Sequence, residues 1–344
     1  DFINLGAVAS VTTAMGGMLA QAAAAEPAAA AGKQKKLIWG NLLHLSRNLW
    51  WDWDVPELKK TEDTAYSPDL RFDRSMWDDI LKEMQRIGMN QVVIDLGDGV
   101  KYESHPELAV KGAWSTAELR KELARLRAMG LEPIPKLNFS TTHDLWLGKY
   151  ARCVSTDAYY AVCRELIAEV AQLFDRPRFF HLGMDEENYG NQRYYQYVVI
   201  RQKDLWWHDL MFFAEQAQAG GSRPWIWSDY SWDNNEVFYQ RMPKTILQSN
   251  WFYGDKFAGP MVKAFDDLEA HGYDQIPTGS NYSNLRNFGL LVDYCRQKIA
   301  PERLLGFLQT TWKATMEKYR ERHLQAIEQV AQAMKSLEGD AGKK

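Results

Sequence analysis

From about residue 33 onward, short apolar runs rich in β-branched and aromatic residues alternate with stretches of helical periodicity, and few architectures accept that order. The strand segments are Leu37–Leu45, Gln91–Leu96, Glu132–Phe139, Phe179–Met184, Pro224–Ser228, Thr245–Trp251, Asp274–Ser280 and Leu304–Thr311. Helical patterns cover Arg74–Ile87, Thr116–Met129, Asp157–Phe174, Arg201–Gln218, Asn235–Arg241, Lys256–Ala270, Leu285–Lys298 and Tyr319–Leu337. Most strand segments are continuously apolar, as parallel strands buried on both faces require. The helix Thr116–Met129 opens with a capping box, Ser115 with Glu118, and stops at Gly130. Eight strand–helix units predict an α/β fold, a (β/α)8 TIM barrel spanning residues 33–344. A doubly wound open sheet is the alternative, but no G-x-G-x-x-G follows the first strand.

Residues 1–32 stand apart. The apolar run from Leu5 to Ala20 is short and rich in Gly and Ala for a bilayer span, and A-x-A choices such as Ala20-Gln21-Ala22 follow it. The segment reads as an export leader with an Ala-rich linker, starting inside a longer precursor. Asp1-Phe2-Ile3 resembles the tail of a twin-arginine motif whose arginines would lie upstream. The expectation is a periplasmic or extracellular protein with no membrane span once the leader is removed. The 41 basic and 45 acidic residues leave a net charge of −4, which argues against binding nucleic acid through a basic face. Three cysteines, Cys153, Cys163 and Cys295, make neither a disulfide framework nor a zinc-site spacing.

In a TIM barrel the active site lies at the C-terminal ends of the strands. Those ends carry Asp95 and Asp98, then Asn138 and His143, then His181 with Asp185, Glu186 and Glu187. The later ends carry Trp227 and Asp229, Asn250, Trp251 and Tyr253, Asn281 and Tyr282, and Trp312. Carboxylates among indole and phenol rings suit glycosidic bond cleavage: rings bind sugar faces and a carboxylic acid protonates the leaving oxygen. The chain has 14 tryptophans, which supply both core and such platforms. There is no P-loop, no H-E-x-x-H and no G-x-S-x-G. His143, His181, Asp185 and Glu186 could converge on a metal, but no i,i+4 His pair or dense acid cluster supports one. No cofactor or metal is expected.

At the fourth strand, His181-Leu-Gly-Met-Asp185-Glu186 resembles the H-x-G-G-D-E motif of the family-20 glycoside hydrolases, the β-N-acetylhexosaminidases, with Met184 in place of the second glycine. The likeness runs on through Leu42–Arg47, His105-Pro-Glu-Leu, Gly112-Ala-Trp-Ser, Gly130-Leu-Glu-Pro-Ile-Pro, Trp227-Ser-Asp229, Tyr282 and Trp312. It implies a terminal β-linked N-acetylated or modified sugar as substrate, cut with retention by substrate assistance, the acetamido oxygen attacking the anomeric carbon. Glu186 would then be the general acid and later the base. Asp185 would hold the acetamido N–H, Tyr282 its oxygen, and Trp227, Trp251 and Trp312 would wall the pocket with His143 behind the pair. Asp98, Asp229, Asn281 and His181 complete the residues expected to bind sugar.

Departures accompany the matches. The family's strand-1 arginine aligns with Trp39, and where an acid follows the strand-8 tryptophan this chain has Lys313 and Ala314. The tyrosine's acidic neighbour is Asn284, and Asp95 stands where the family shows histidine. Losing two charge-assisted contacts would cost roughly 3–6 kcal/mol, so ordinary β-N-acetylglucosaminides are expected to be poor substrates unless Arg47, Lys101 or Lys313 substitutes. Two other readings are a non-catalytic carbohydrate-binding protein on the same barrel, and a glycosidase with Asp98, Asp229 or Asp233 as nucleophile.

Overall fold

The computed structural model describes residues 36–51 and 64–341; the expected leader, 1–32, lies outside them. Its barrel strands are β1 (Ile38–His44), β2 (Gln91–Asp95), β3 (Glu132–Lys136), β4 (Phe179–His181), β5 (Arg223–Trp227), β6 (Leu247–Ser249), β7 (Thr278–Ser280) and β8 (Gly306–Thr310). All neighbouring pairs are parallel, and β1 pairs with both β2 and β8. Between β6 and β7 the ring is closed by isolated parallel bridges, Gln248 to Gln275 and Trp251 to Thr278. This is the TIM barrel, and the open sheet is excluded.

Among the described residues, eight helices of seven or more residues surround it: α1 (Arg74–Ile87), α2 (Thr116–Ala128), α3 (Asp157–Leu173), α4 (Asp204–Ala219), α5 (Asn235–Arg241), α6 (Pro260–Ala270), α7 (Asn287–Lys298) and α8 (Arg320–Ala341). Helix α1 buries Met76, Trp77, Ile80, Leu81 and Met84, a stripe at helical spacing, and ends at Gly88 with φ 86°. The capping box at α2 forms as expected, with Glu118 N–H donating to Ser115 Oγ at 3.2 Å and Ser115 N–H to Glu118 at 2.8 Å. Two helices start three or four residues later than their patterns suggest. Pro260 fixes the first turn of α6, and Arg201 is drawn out of α4 into a buried ion pair with Glu187 (2.8 Å) and Asp209 (3.0 Å). That pair anchors the loop leaving β4. A short parallel ribbon, Val100–Lys101 with Trp114–Ser115, was not legible in the pattern.

Alternate strand residues fill the barrel: Ile38, Leu42, Val93, Ile134, Phe179, Trp225, Leu247 and Leu308 form one apolar cluster. The last residues of the first four strands, His44, Asp95, Lys136 and His181, stand side by side in register as a buried polar layer above it. Lys136 Nζ donates to Asp95 Oδ2 at 2.5 Å, and His44 Nδ1 lies 3.4 Å from the same oxygen. Among the described residues no helix is long and apolar enough to cross a membrane.

Candidate active site

The site is built on the turn that leaves β4. Gly183, Met184 and Glu186 have φ of 74°, 73° and 56°, so the chain passes through the left-handed region three times in four residues. For Met184 and Glu186 that costs on the order of 1–3 kcal/mol each. Gly183 is required for a second reason: a Cβ there would lie 1.9 Å from Asn138 Oδ1. The loop after β3 holds the turn. Asn138 Oδ1 accepts from Met184 N–H (3.3 Å), Ser140 Oγ donates to the Asp185 carbonyl, and Thr142 Oγ1 donates to the Glu186 carbonyl at 2.7 Å. Backbone strain concentrated where two acids emerge is a feature of sites rather than of packing.

Both acids line a single cavity of about 560 Å³ at the C-terminal mouth of the barrel. His143, Trp227, Trp251, Tyr282 and Trp312 line it too. The Asp185 side chain is 9% exposed and that of Glu186 35%, so the second reaches further into the open space. His143 Nε2 stands between them, 3.2 Å from Asp185 Oδ2 and 3.3 Å from Glu186 Oε2. Burial alone would depress the His143 pKa; the charges of Asp185 and Glu186 and the hydrogen bonds to them outweigh it and raise it to about 10. Burial would likewise raise Asp185, but the His143 charge and hydrogen bond, Lys136 and a 2.9 Å bond from Asn138 Nδ2 hold it below the usual carboxylate range. Among the described residues, His143, Asp185 and Glu186 are also the three groups close enough to share a cation. His181 does not join them.

Asp229 does not line the cavity. Its two oxygens accept from Glu186 N–H (2.8 Å) and Trp251 Nε1–H (3.3 Å), so it ties the strained backbone of the acid to a wall of the pocket. Burial, followed by the charges of Asp185 and Glu186, raises its pKa to about 8. From Trp251 the contacts continue round the rim. Trp251 stacks on Tyr253 at 5.0 Å, and Trp312 Nε1–H donates to Tyr253 Oη at 2.9 Å. Trp312 itself has φ 52°, and Arg47 Nη2 donates to its carbonyl at 2.6 Å. The Arg47 guanidinium covers Trp50 at 4.3 Å, and Trp50 meets His143 edge-on at 5.6 Å.

Three other residues expected to touch sugar are turned elsewhere. Asp98 accepts from Ser46 Oγ and from Asn48 Nδ2 (2.8 Å), clasping the loop after β1. Asn281 Nδ2 donates to the Arg322 carbonyl at 2.7 Å, fastening the β7 loop to α8. His181 is fully buried beneath the cavity, 4.3 Å from the Trp227 ring, with Nδ1 accepting from Gly183 N–H. Of the aligned departures, Trp39 faces the helices and stacks on Phe307 at 5.4 Å, and Ala314 is buried against α8, its carbonyl facing His323. Neither reaches the cavity. Arg47 and Lys313 do, together with Trp50, Trp51 and Tyr253. One cation is therefore supplied from the β1 loop, and beside Trp312 the charge is positive rather than acidic.

No family model matches the sequence, and no curated protein matches it. Solved structures do match. A chitobiase from Flavobacterium johnsoniae superposes with a TM-score of 0.61 at 17% identity, over 86% of this chain and 48% of that one. The fold is that of the GH20 barrels. A GH20 exo-β-N-acetylglucosaminidase from Vibrio harveyi, solved with N-acetylglucosamine, gives 0.57 at 13% identity over 86% of this chain and 54% of its own. A mutant Streptomyces plicatus β-hexosaminidase in complex with its product GlcNAc gives 0.60 at 13%, over 86% and 64%. The chain thus spans about half to two thirds of the length of these GH20 proteins.

Proposed function

We propose that this protein is a divergent family-20-type glycoside hydrolase, cutting a terminal β-linked acetamido sugar with retention of configuration. The observation that carries the reading is the pair Asp185 and Glu186 in one aromatic-walled cavity, on a strained turn fastened from both sides. A binding-only protein has no need of that turn; planar platforms suffice to hold a sugar.

The proposed reaction starts with the substrate's own acetamido oxygen attacking the anomeric carbon as the bond to the leaving oxygen breaks. Glu186, the more open acid, gives its proton to that leaving oxygen. Asp185 accepts from the acetamido N–H and balances the positive charge of the cyclic oxazolinium. Water then attacks the same carbon, its proton passes to Glu186, and the acetamido group is restored. Asp185 and Glu186 are the carboxylates that line the cavity among the described residues, and Asp98, Asp229 and Asp233 do not line it. Substrate assistance therefore has stronger support than an enzyme nucleophile. Export by the twin-arginine route is part of the proposal and rests on residues 1–32. Expressed with upstream arginines, the protein is expected in the periplasm, cut between Ala20 and Gly32. Uncut cytoplasmic protein would overturn that part. The test of the chemistry is a matched pair of nitrophenyl β-glycosides with and without the 2-acetamido group. Only the acetamido sugar should be hydrolysed, and equal rates would rule substrate assistance out.

A further inference from the structure

Two tyrosines line the cavity, Tyr253 on the loop after β6 and Tyr282 on the loop after β7. Their surroundings differ. Tyr282 is 57% exposed and stands open to solvent. Tyr253 is half-buried, with its ring stacked on Trp251 at 5.0 Å. Its backbone is fixed as well. Ser283 Oγ donates to the Tyr253 carbonyl at 2.6 Å, and Asn287 Nδ2 donates to the carbonyls on either side, Phe252 (2.9 Å) and Gly254 (2.7 Å).

Trp312 then sets the use of the Tyr253 hydroxyl. Its Nε1–H lies 2.9 Å from the phenol oxygen, and an indole N–H only donates, so it occupies a lone pair and leaves the phenol proton uncommitted. Among the described residues no hydrogen bond takes that proton. Burial pushes the phenol above its ordinary 10; the bonds from Trp312 and Thr310 pull against that, and the charges of Glu186 and Asp185 add to it. The hydroxyl is therefore a donor at any working pH, close enough to both acids to feel them.

We propose that Tyr253 O–H donates to the carbonyl oxygen of the substrate's 2-acetamido group, the place that the family resemblance gives to Tyr282, and so orients that oxygen for attack. The assignment rests on the glycoside hydrolase reading for the identity of the attacking group. A trans amide presents its N–H and its C=O on opposite edges. With Asp185 accepting from the N–H, a donor at the other edge fixes the rotation of the group. The second lone pair of the carbonyl oxygen is then left for the anomeric carbon. A hydroxyl already aimed by Trp312 and backed by Trp251 loses little freedom on binding, whereas that of Tyr282 would have to exchange water for sugar.

The test is calorimetric titration of the whole protein with methyl N-acetyl-β-glucosaminide and methyl β-glucoside, which differ only at C2. Tyr253→Phe removes the hydroxyl and keeps the ring on Trp251. The wild type should favour the acetamido sugar, and in Tyr253→Phe that preference should fall about three- to tenfold. A change of packing alone would weaken both sugars together. In Tyr282→Phe the preference should survive any change in overall affinity. Retention of the preference in Tyr253→Phe, or its loss in Tyr282→Phe, overturns the inference, and the second arm decides even where the Tyr253 variant fails to fold. Hydrolysis of nitrophenyl N-acetyl-β-glucosaminide, followed in parallel, separates this contact from the function on which it rests. There Tyr253→Phe should lower kcat about 10–10²-fold with a smaller change in KM. An amide preference that depends on Tyr253, without cleavage by the wild type, upholds the contact and sinks the hydrolase reading. Cleavage with the preference kept in Tyr253→Phe does the reverse, and a wild type that neither prefers the amide nor cleaves it overturns both.

Discussion

The ends of β2 and β4 present acids of the same kind and use them in opposite ways. After β2 the chain makes a tight 3-10 turn, Gly97–Gly99, that folds Asp98 back onto Ser46 and Asn48. After β4 it takes a left-handed path that its neighbours must hold in place, and Asp185 and Glu186 emerge into the cavity. One acid stabilises a loop; the other two are presented to the cavity at a cost in backbone strain. An acid at a strand end therefore becomes a candidate catalyst only when the turn beneath it opens inwards.

Substitutions at the two ends should separate these roles. The largest effect is expected at Asp185→Asn, which weakens charge stabilisation in the transition state and should lower kcat by about 10²–10³-fold for good and poor leaving groups alike. Asp229→Ala, outside the cavity, frees the Glu186 backbone and Trp251 together. It should lower kcat by about 10–10²-fold through misplacement of the acid, with a smaller change in KM. A change confined to thermal stability would reduce Asp229 to packing.

His143 gives a pH-dependent contrast. Its folded pKa of about 10 lies above the ordinary 6.5, so the folded state holds the proton more tightly. Its contribution to stability is complete below pH 6.5 and is lost as pH rises through 10. Asp229, raised to about 8, adds to the fall in the lower part of that window, and the Cys163 and Cys295 thiols, pushed up from their ordinary 9 by burial, add to it in the upper part, so the His143 share is plainest between 8 and 9. His143→Gln should flatten the loss there in denaturant titrations; an unchanged slope would exclude an imidazolium between the acids. Asp98→Ala should cost about 1–3 kcal/mol of stability by leaving the Ser46 hydroxyl without its acceptor and Asn48 Nδ2 with only the Ser67 carbonyl, with kcat within a fewfold of wild type. A loss of kcat comparable with that at Asp185 would erase the distinction between the two ends.

Much of this was legible in the residue pattern. Hydrophobic periodicity and punctuation located the eight strands and eight helices because burial on both faces of a parallel strand leaves a plain apolar run. The strand-end rule named Asp185, Glu186, His143, Trp227, Trp251 and Trp312, which line the cavity. It also named Asp98, Asn281 and His181, which do not line the cavity, because hydrogen bonds with Ser46 and Asn48, with the Arg322 carbonyl and with Gly183 N–H hold them elsewhere. It did not name Trp50 and Trp51 and named Arg47 and Lys313 only as substitutes, since they sit on loops whose course depends on long-range partners such as Trp312. Asp229 was assigned to sugar binding; its hydrogen bond to a backbone N–H was invisible without the turn geometry.

The proposed chemistry depends most directly on Glu186 as proton donor. Glu186→Gln keeps the shape of the side chain and removes the proton, so it should slow hydrolysis of an acetamido glycoside with a poor alkyl leaving group by at least about 10²-fold. The nitrophenyl glycoside departs with little protonation and should lose far less in the bond-breaking step. Measured as the ratio of kcat/KM for the two leaving groups in wild type and variant, a large differential loss confirms the acid at β4. An equal loss for both would contradict it.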